Sequence, residues 1–264
     1  MKIGVFDSGL GGLVITKALR EALPDYDYVY YGDTANLPYG EKTSEQILAY
    51  TINAIKFLIE QKCGLIIIAC NTATSIALRY LQQKFIPAYN PDIKILGVVI
   101  PTVEEALENN AKKIGVLATK STVNSHIYQA ELLKINPDLE IFEIAAPELV
   151  PAIENNDFDT AQKFAKQYAS QFNDIDSLIL GCTHYPLLKT CLRQYCGEKV
   201  KIVSQDEFMG KKLANYLNRH IEIDICLSRN NELKILVSQE DKKYCEVAKS
   251  LFPDTIIQKV GNNA

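Results

Sequence analysis

The stretch Leu65-Ile-Ile-Ile-Ala-Cys-Asn-Thr72 decides the fold of this chain, because it reads as a buried strand ending in a cysteine and a polar pair before a helical pattern. The segment Leu178-Ile-Leu-Gly-Cys-Thr-His184 repeats that plan. Strands that are apolar on both faces, each followed by a helix, predict parallel sheets covered on both sides. The repetition predicts two similar α/β units, each presenting one thiol.

The same alternation of short apolar runs and helical patterns extends outward from these two segments, from Ile3–Phe6 to a last short strand near Ile256–Lys259. The predicted fold class is therefore α/β. No linker rich in Gly, Ser or Pro interrupts the pattern, so any domain boundary must consist of tight crossings. The Pro- and Asn-containing stretch Ala88–Asp92 is one candidate for such a crossing.

Composition limits the possible functions of these 264 residues. Apolar residues make up 47% of the chain, which is enough for a sizeable core, and the formal net charge is −4. No run of Lys and Arg forms a basic stripe, which argues against a dedicated nucleic-acid binder. The first residues do not resemble a signal peptide, and no apolar run is long enough to span a bilayer. Seven cysteines without framework spacing predict a reduced, cytoplasmic protein.

Cys70 and Cys182 differ from the other five cysteines in their context. Each is expected at the carboxyl end of a strand, where α/β sheets bind ligands, and just before a helix. The unpaired N–H groups and partial positive charge of a helix N-terminus predict a lowered thiol pKa. The alternative is a pair of inert, buried cysteines. Two thiols in one repeated context favour function.

Further polar groups follow other predicted strands. Asp7 and Ser8 precede a glycine-rich turn that lacks dinucleotide-binding spacing, so they either hold a small zwitterion or cap the next helix. Thr183 and His184 follow Cys182, and histidine is a natural acid or base near neutral pH. The loop Pro38-Tyr39-Gly40 could equally be an ordinary turn.

Two opposed thiols suit racemisation, which removes a Cα proton from one face and returns a proton to the other. One base does not easily reach both faces, and thiols exchange protons near neutral pH. The spacing of Cys182, His184, Cys191 and Cys196 matches no structural zinc site. The sequence therefore predicts an enzyme without metal or other cofactor.

At these residues the chain resembles glutamate racemase, within the aspartate/glutamate racemase superfamily. The resemblance covers essentially the whole chain and rests on four blocks, with weaker ones at 119–128 and 150–154. The four blocks are Phe6–Gly12, Tyr31–Asp33 with Pro38–Gly40, Ala69–Ala73 and Gly181–Leu187.

The resemblance implies two pseudo-symmetric, three-layer α/β domains, residues 1–94 with 208–264 and residues 95–207, with the active site in the cleft between them. It implies Cys70 and Cys182 as the proton donor and acceptor. The residues that would assist the thiols are Asp7, Glu154 and His184. Substrate binding would involve Asp7, Ser8, Pro38, Tyr39, Gly40, Asn71, Thr72, Thr119, Thr122, Thr183 and His184. The family further implies a cofactor-independent, cytoplasmic homodimer that supplies D-glutamate for bacterial peptidoglycan.

Some positions depart from the family pattern. Thr74 stands where serine is common, Asn36 where arginine is frequent, and Ser204-Gln205-Asp206 where Asp-Ser is more usual. These changes affect loop anchoring rather than proton transfer. Without the resemblance, Glu154 would read as a solvated surface residue.

Three alternatives remain beside glutamate racemisation. Sister families act on aspartate, hydantoins or arylmalonates, and only the resemblance favours glutamate over aspartate. A binding domain without catalysis would have no use for two intact thiols. A thiol hydrolase using His184 would leave the second strand-end cysteine unexplained.

Overall fold

Within residues 1–108 and 110–260, which the computed structural model describes, ten strands form two parallel sheets. The last four residues of the predicted first domain, 261–264, lie outside the described part. The strands are β1 (Lys2–Asp7), β2 (Tyr28–Gly32), β3 (Cys63–Ile68), β4 (Lys94–Gly97), β5 (Lys113–Ala118), β6 (Glu140–Ala145), β7 (Ser177–Gly181), β8 (Lys201–Val203), β9 (Leu233–Val237) and β10 (Ile257–Lys259).

The first sheet has six strands in the order β10-β9-β2-β1-β3-β4, and the second has four in the order β6-β5-β7-β8. Every neighbouring pair in both sheets is parallel. The central strands β2, β3 and β7 are buried along their whole length. Burial on both faces is what the continuous apolar runs of the sequence predict, because parallel sheets are covered by helices on each side. The predicted α/β class is confirmed.

Thirteen α-helices connect and cover these strands in the described residues. They are α1 (Gly11–Ala22), α2 (Ser44–Glu60), α3 (Asn71–Tyr80), α4 (Ile86–Tyr89), α5 (Val99–Leu107), α6 (Lys120–Asn124), α7 (Ile127–Ile135), α8 (Leu149–Glu154), α9 (Phe158–Ala169), α10 (Lys189–Cys196), α11 (Gln205–Arg219), α12 (Ile221–Asp224) and α13 (Lys242–Leu251). None of the described helices combines the length and apolar character needed to cross a bilayer.

Local sequence explains where the key helices begin. The Thr43 hydroxyl accepts from the Gln46 N–H, and the Gln46 side chain accepts from the Thr43 N–H, so a capping box starts α2. Cys70 occupies the N-cap of α3, and its sulfur accepts from the Ala73 N–H. A cysteine at this cap is unusual, because serine, threonine, aspartate and asparagine are the preferred N-cap residues.

The predicted division into two domains stays a prediction, and the strand pairing refines its boundaries. A boundary after residue 94 would cut β4, which pairs with β3 and so belongs to the first sheet. A boundary after residue 207 would cut α11, which packs against α1. The pairing therefore favours boundaries at the ends of these two elements.

The start of α1 presses against the loop that follows β7 of the other sheet. A Cβ atom added at Gly11 would lie 2.5 Å from the backbone carbonyl carbon of Thr183. Real Cβ atoms do not approach backbone atoms so closely, so the two loops meet at this distance only because residue 11 lacks a side chain. Glycine therefore permits this contact between α1 and the loop that follows β7.

We predict that Gly11→Ala lowers the free energy of unfolding by about 1–3 kcal/mol, because the new methyl group overpacks this contact. Helix propensity alone would give the opposite sign, since alanine favours a helix over glycine by about 1 kcal/mol. Urea denaturation measures the change. Ser44 is likewise the first residue of its helix, α2, but it is exposed. Ser44→Ala is therefore the control and should change the free energy of unfolding by less than about 0.5 kcal/mol. An alanine variant at residue 11 that is more stable than the parent would refute the close-contact explanation.

Candidate active site

The carboxyl ends of strands from both sheets meet at one cavity, as expected for ligand sites in α/β proteins. It is narrow and closely walled, with a free volume of about 30 Å³. Eleven predicted site residues line it: Ser8, Pro38, Tyr39, Gly40, Cys70, Asn71, Thr72, Thr119, Cys182, Thr183 and His184. Asp7, Thr122 and Glu154 lie behind this wall and contact residues that form it.

Cys70 lies where β3 gives way to α3, as predicted, and its side chain is buried. Its sulfur is 3.5 Å from the Ser8 hydroxyl and accepts from the Ala73 N–H at 3.4 Å. Burial nevertheless raises the pKa of the Cys70 thiol to about 12, and the nearby Asp7 carboxylate adds to the rise. The prediction of a lowered pKa is therefore wrong for Cys70. The helix N-terminus stabilises the thiolate, but the loss of water around the sulfur outweighs it.

Cys182 has a different environment, although the sequence around it echoes that of Cys70. A 3₁₀ turn at Tyr185–Leu188, rather than an α-helix, follows it, and α10 begins only at Lys189. Its closest polar partner is His184, whose Nδ1 lies 3.6 Å from the sulfur. The cation beside this sulfur is therefore an imidazole, and the helix that the sequence predicts after Cys182 begins as a 3₁₀ turn.

Glu154, on α8, completes a line of polar groups that starts at Cys182. One Glu154 oxygen lies 2.5 Å from Nε2 of His184 and also accepts from the Leu10 N–H at 2.9 Å. The interpretation of Glu154 as a solvated surface residue is therefore excluded. Because the carboxylate contacts Nε2, Nδ1 is the ring nitrogen that faces the sulfur.

The charged forms of His184 and Glu154 stabilise each other. Burial disfavours the imidazolium, but hydrogen bonds to Cys182 and Glu154 outweigh it and raise the pKa of His184 well above its usual value. Burial likewise works against the Glu154 carboxylate, yet the hydrogen bond from His184 leaves its pKa lowered. His184 is thus a cation at neutral pH, placed between a carboxylate and a thiol.

Asp7 ends β1 directly behind the cavity wall. It accepts from the Gly9 N–H at 2.9 Å and from the Thr183 hydroxyl at 3.1 Å. Burial raises its pKa to about 6, even though the His184 cation and both hydrogen bonds favour the carboxylate. A carboxyl group that titrates this close to neutrality can take up and release protons under physiological conditions.

Three threonine hydroxyls join the two sheets on another side of the cavity. Thr72 lies 2.8 Å from Thr119 and 3.3 Å from Thr122, and the latter two are 3.0 Å apart. Thr119 caps α6 by accepting from the Thr122 N–H. Thr72 and Thr119 reach the cavity, whereas Thr122 supports them from behind.

The loop carrying Pro38, Tyr39 and Gly40 is held by a buried carboxylate. Asp33 accepts from the Tyr39 hydroxyl at 2.7 Å and from the Ser238 hydroxyl at 2.9 Å. The Gly40 carbonyl in turn accepts from the hydroxyl of Ser121 on α6, which follows β5 of the second sheet. The loop is therefore a fixed part of the wall and not an ordinary surface turn.

The sequence interpretation missed several residues of the site. Glu41, Lys120, Pro147 and Val150 also line the cavity. Gln205 and Tyr128 bond to Asn71 in the core behind it. The departure at 204–206 was the one available signal for Gln205, because a glutamine at a buried helix start needs polar partners. Within the described residues, no group of three or more His, Cys, Asp or Glu side chains could hold a metal ion.

The arrangement supplies two thiols from two sheets to one small, buried cavity, with a cation beside one thiol and hydroxyl and amide groups around them. Such groups can exchange protons with a ligand from two sides and bind its charged ends. Fold and cavity together define an isomerase of the amino-acid racemase class.

Comparison with known proteins agrees with this class. The family model for Asp/Glu/Hydantoin racemases matches residues 5–205. A glutamate racemase from Aquifex pyrophilus is 39% identical over 219 residues, which cover 82% of this chain and 84% of the relative.

Two solved glutamate racemases superpose on nearly the whole chain. The enzyme from Bacillus anthracis is 30% identical with a TM-score of 0.88, covering 100% of this chain and 98% of its own. The enzyme from Francisella tularensis, in complex with D-glutamate, is 33% identical with a TM-score of 0.86, covering 98% and 97%. The chain therefore belongs to the glutamate racemases of the Asp/Glu/Hydantoin racemase family, which confirms the resemblance seen in the sequence.

We predict that Asp7→Asn stabilises the protein at neutral pH. Because the pKa of Asp7 is raised to about 6, ionising it costs folding free energy that is absent near pH 4 and fully present above pH 6. The variant should exceed the parent by about 2–3 kcal/mol at pH 7.5, and this gain should vanish as the pH falls through 6 towards 4.

Chemical denaturation across this pH range measures the gain. Thr183→Ser keeps a hydroxyl for Asp7 and is the control, so its stability should follow the pH dependence of the parent. A gain for Asp7→Asn that does not change with pH would rule out ionisation of Asp7 as its source.

Proposed function

We propose that the chain interconverts L- and D-glutamate by two-base proton transfer at Cα, with Cys70 and Cys182 as the acid and base. The observation that carries this proposal is the presence of both sulfurs in the wall of one cavity, each delivered by a different sheet. Inversion at Cα needs one group on each face, and thiols at two strand ends meet that need. The choice of glutamate is supported by the relatives, one of which was solved with D-glutamate.

The two sulfurs have different surroundings, and the proposed mechanism gives them opposite starting states. Cys70 is a protonated thiol at neutral pH, since its pKa is raised to about 12. Cys182 lies beside the His184 cation, whose Nδ1 is 3.6 Å from the sulfur. In one direction Cys182 takes the Cα proton and becomes a thiol, while Cys70 gives its proton to the opposite face and becomes a thiolate. The reverse reaction exchanges these roles.

Three further groups assist the thiols in this proposal. Glu154 holds His184 as a cation and fixes the ring so that Nδ1 faces Cys182. Asp7 lies close enough to Cys70 to raise its pKa, and it titrates near pH 6, so it can exchange protons near that thiol. Glu154 and His184 would thus act at Cys182, whereas Asp7 would exchange protons near Cys70.

The polar wall of the cavity would bind the charged groups of glutamate. Hydrogen-bond donors on two sides of the cavity can bind the two carboxylates of glutamate. They can also stabilise the carbanion that forms when the Cα proton leaves. The residues proposed for binding are Asp7, Ser8, Pro38, Tyr39, Gly40, Asn71, Thr72, Thr119, Thr122, Thr183 and His184. Asp7 and Thr122 would act through the residues that they contact, because neither reaches the cavity itself.

The cellular part of the proposal follows from the family. The enzyme would need no cofactor, since its own side chains supply the acid and the base. It would act in the cytoplasm as a homodimer and supply D-glutamate for peptidoglycan. All seven cysteines are free, which is consistent with a reducing compartment.

We predict that Cys70→Ser and Cys182→Ser each reduce racemisation by about 10²- to 10⁴-fold, because each variant removes one of two essential acid/base groups. The assay follows optical rotation and Cα deuterium content of L-glutamate and D-glutamate in deuterated water. Exchange without inversion can survive in either variant, since one face of Cα still meets a thiol.

Cys63→Ala provides the matched control, because Cys63 is buried in β3 but does not line the cavity. It should racemise glutamate at nearly the rate of the parent. A parent that changes neither the rotation nor the Cα hydrogen of glutamate would overturn the proposed function. Full activity in either serine variant would overturn the assignment of the thiol pair.

A further inference from the structure

Asn71 lies between the cavity and a buried cluster of polar side chains. Its amide pairs with that of Gln205 through two hydrogen bonds. Nδ2 of Asn71 donates to Oε1 of Gln205 at 3.1 Å, and Nε2 of Gln205 donates to Oδ1 of Asn71 at 2.9 Å. Both side chains are almost completely buried. The same two hydrogen bonds would form if both amide groups were rotated by 180°, which exchanges their oxygen and nitrogen atoms. A third group must therefore select one of the two orientations.

Thr102 on α5 is that third group. Its hydroxyl donates its single hydrogen to the Val98 carbonyl oxygen at 2.6 Å, so the Thr102 oxygen can only accept. Nε2 of Gln205 lies 3.0 Å from this oxygen and donates to it. The NH₂ end of Gln205 must therefore face Thr102, and its oxygen is left for Asn71.

This order of donors and acceptors fixes the amide of Asn71. Its oxygen accepts from Gln205 and from the Tyr128 hydroxyl at 2.6 Å, which uses both lone pairs. One Nδ2 hydrogen is bonded to Gln205, and the second remains available to a ligand in the cavity. Asn71 can therefore offer the ligand a donor but no acceptor. Tyr128 does not select this orientation by itself, because a hydroxyl can donate or accept.

We propose that Thr102 and Gln205 are positioning residues that set the polarity of the substrate site, so that Asn71 donates to a carboxylate oxygen and cannot accept from the ammonium group. This inference rests on the proposed function, in which Asn71 contacts glutamate.

The test compares Thr102→Val with Thr102→Ser. Valine keeps the shape of threonine but removes the acceptor, so the paired amides can turn over and present the Asn71 oxygen to the carboxylate. We expect Thr102→Val to raise KM for both glutamate enantiomers about three- to tenfold with kcat nearly unchanged, because only the correctly oriented fraction binds. Serine keeps the hydroxyl and should leave KM close to that of the parent.

A packing role for Thr102 predicts the opposite order, because serine loses the methyl group whereas valine retains the bulk. Equal KM values for the two variants, or a higher KM for serine, would therefore overturn the inference. If Thr102→Val does not fold, Thr102→Ala also lacks the acceptor for Gln205 and, compared with Thr102→Ser, should raise KM without lowering kcat. An unchanged KM in that variant would likewise overturn it. A parent inactive on glutamate would instead refute the proposed function itself.

Discussion

Exclusion of water from the cleft between the two sheets is the constraint on which the rest of the site depends. Both sulfurs, the Asp7 carboxyl and the His184 ring are buried, so each charge must be stabilised by a neighbour rather than by solvent. The resulting pKa values are consequences of this burial. The Cys70 thiol and the Asp7 carboxyl move towards their neutral forms, whereas His184 stays charged because it contacts Glu154. A wetter cleft would leave these groups near their ordinary values.

The two cysteine segments are similar in sequence, but the two sulfurs lie in different chemical environments. Cys70 caps a helix, contacts two neutral groups and lies near the Asp7 carboxylate, whereas Cys182 precedes a 3₁₀ turn and lies beside a cation. A racemase works in both directions, but the two thiols of the proposed mechanism do not need the same surroundings. That mechanism starts with a proton on one sulfur and none on the other. Burial raises the pKa of Cys70, whereas the His184 cation lies beside Cys182.

Contacts between the sheets hold this geometry. The threonine hydroxyls at the ends of β3 and β5, the Gly11 approach to Thr183 and the bond from Leu10 to Glu154 all cross between the two sheets. Asn71 adds a further connection, because its amide is paired with Gln205 of α11 and bonded to Tyr128 of α7. Residues of the cavity wall are thus also residues that join the sheets, so the shape of the cavity and the positions of the two sulfurs depend on the same hydrogen bonds.

By itself the sequence determined the α/β class, the two strand-end cysteines and most of the cavity wall, because strand burial and strand ends follow from local apolar patterns. It did not determine the pKa of Cys70, since the local helix favours the thiolate and only the packed structure shows how completely water is excluded. It also could not decide whether Glu154 was exposed, because its partner His184 is thirty residues away in the chain. The same holds for Gln205, whose partners Asn71 and Thr102 come from distant segments. Tertiary structure alone decides which buried polar groups meet, and therefore which charges and hydrogen-bond orientations the site contains.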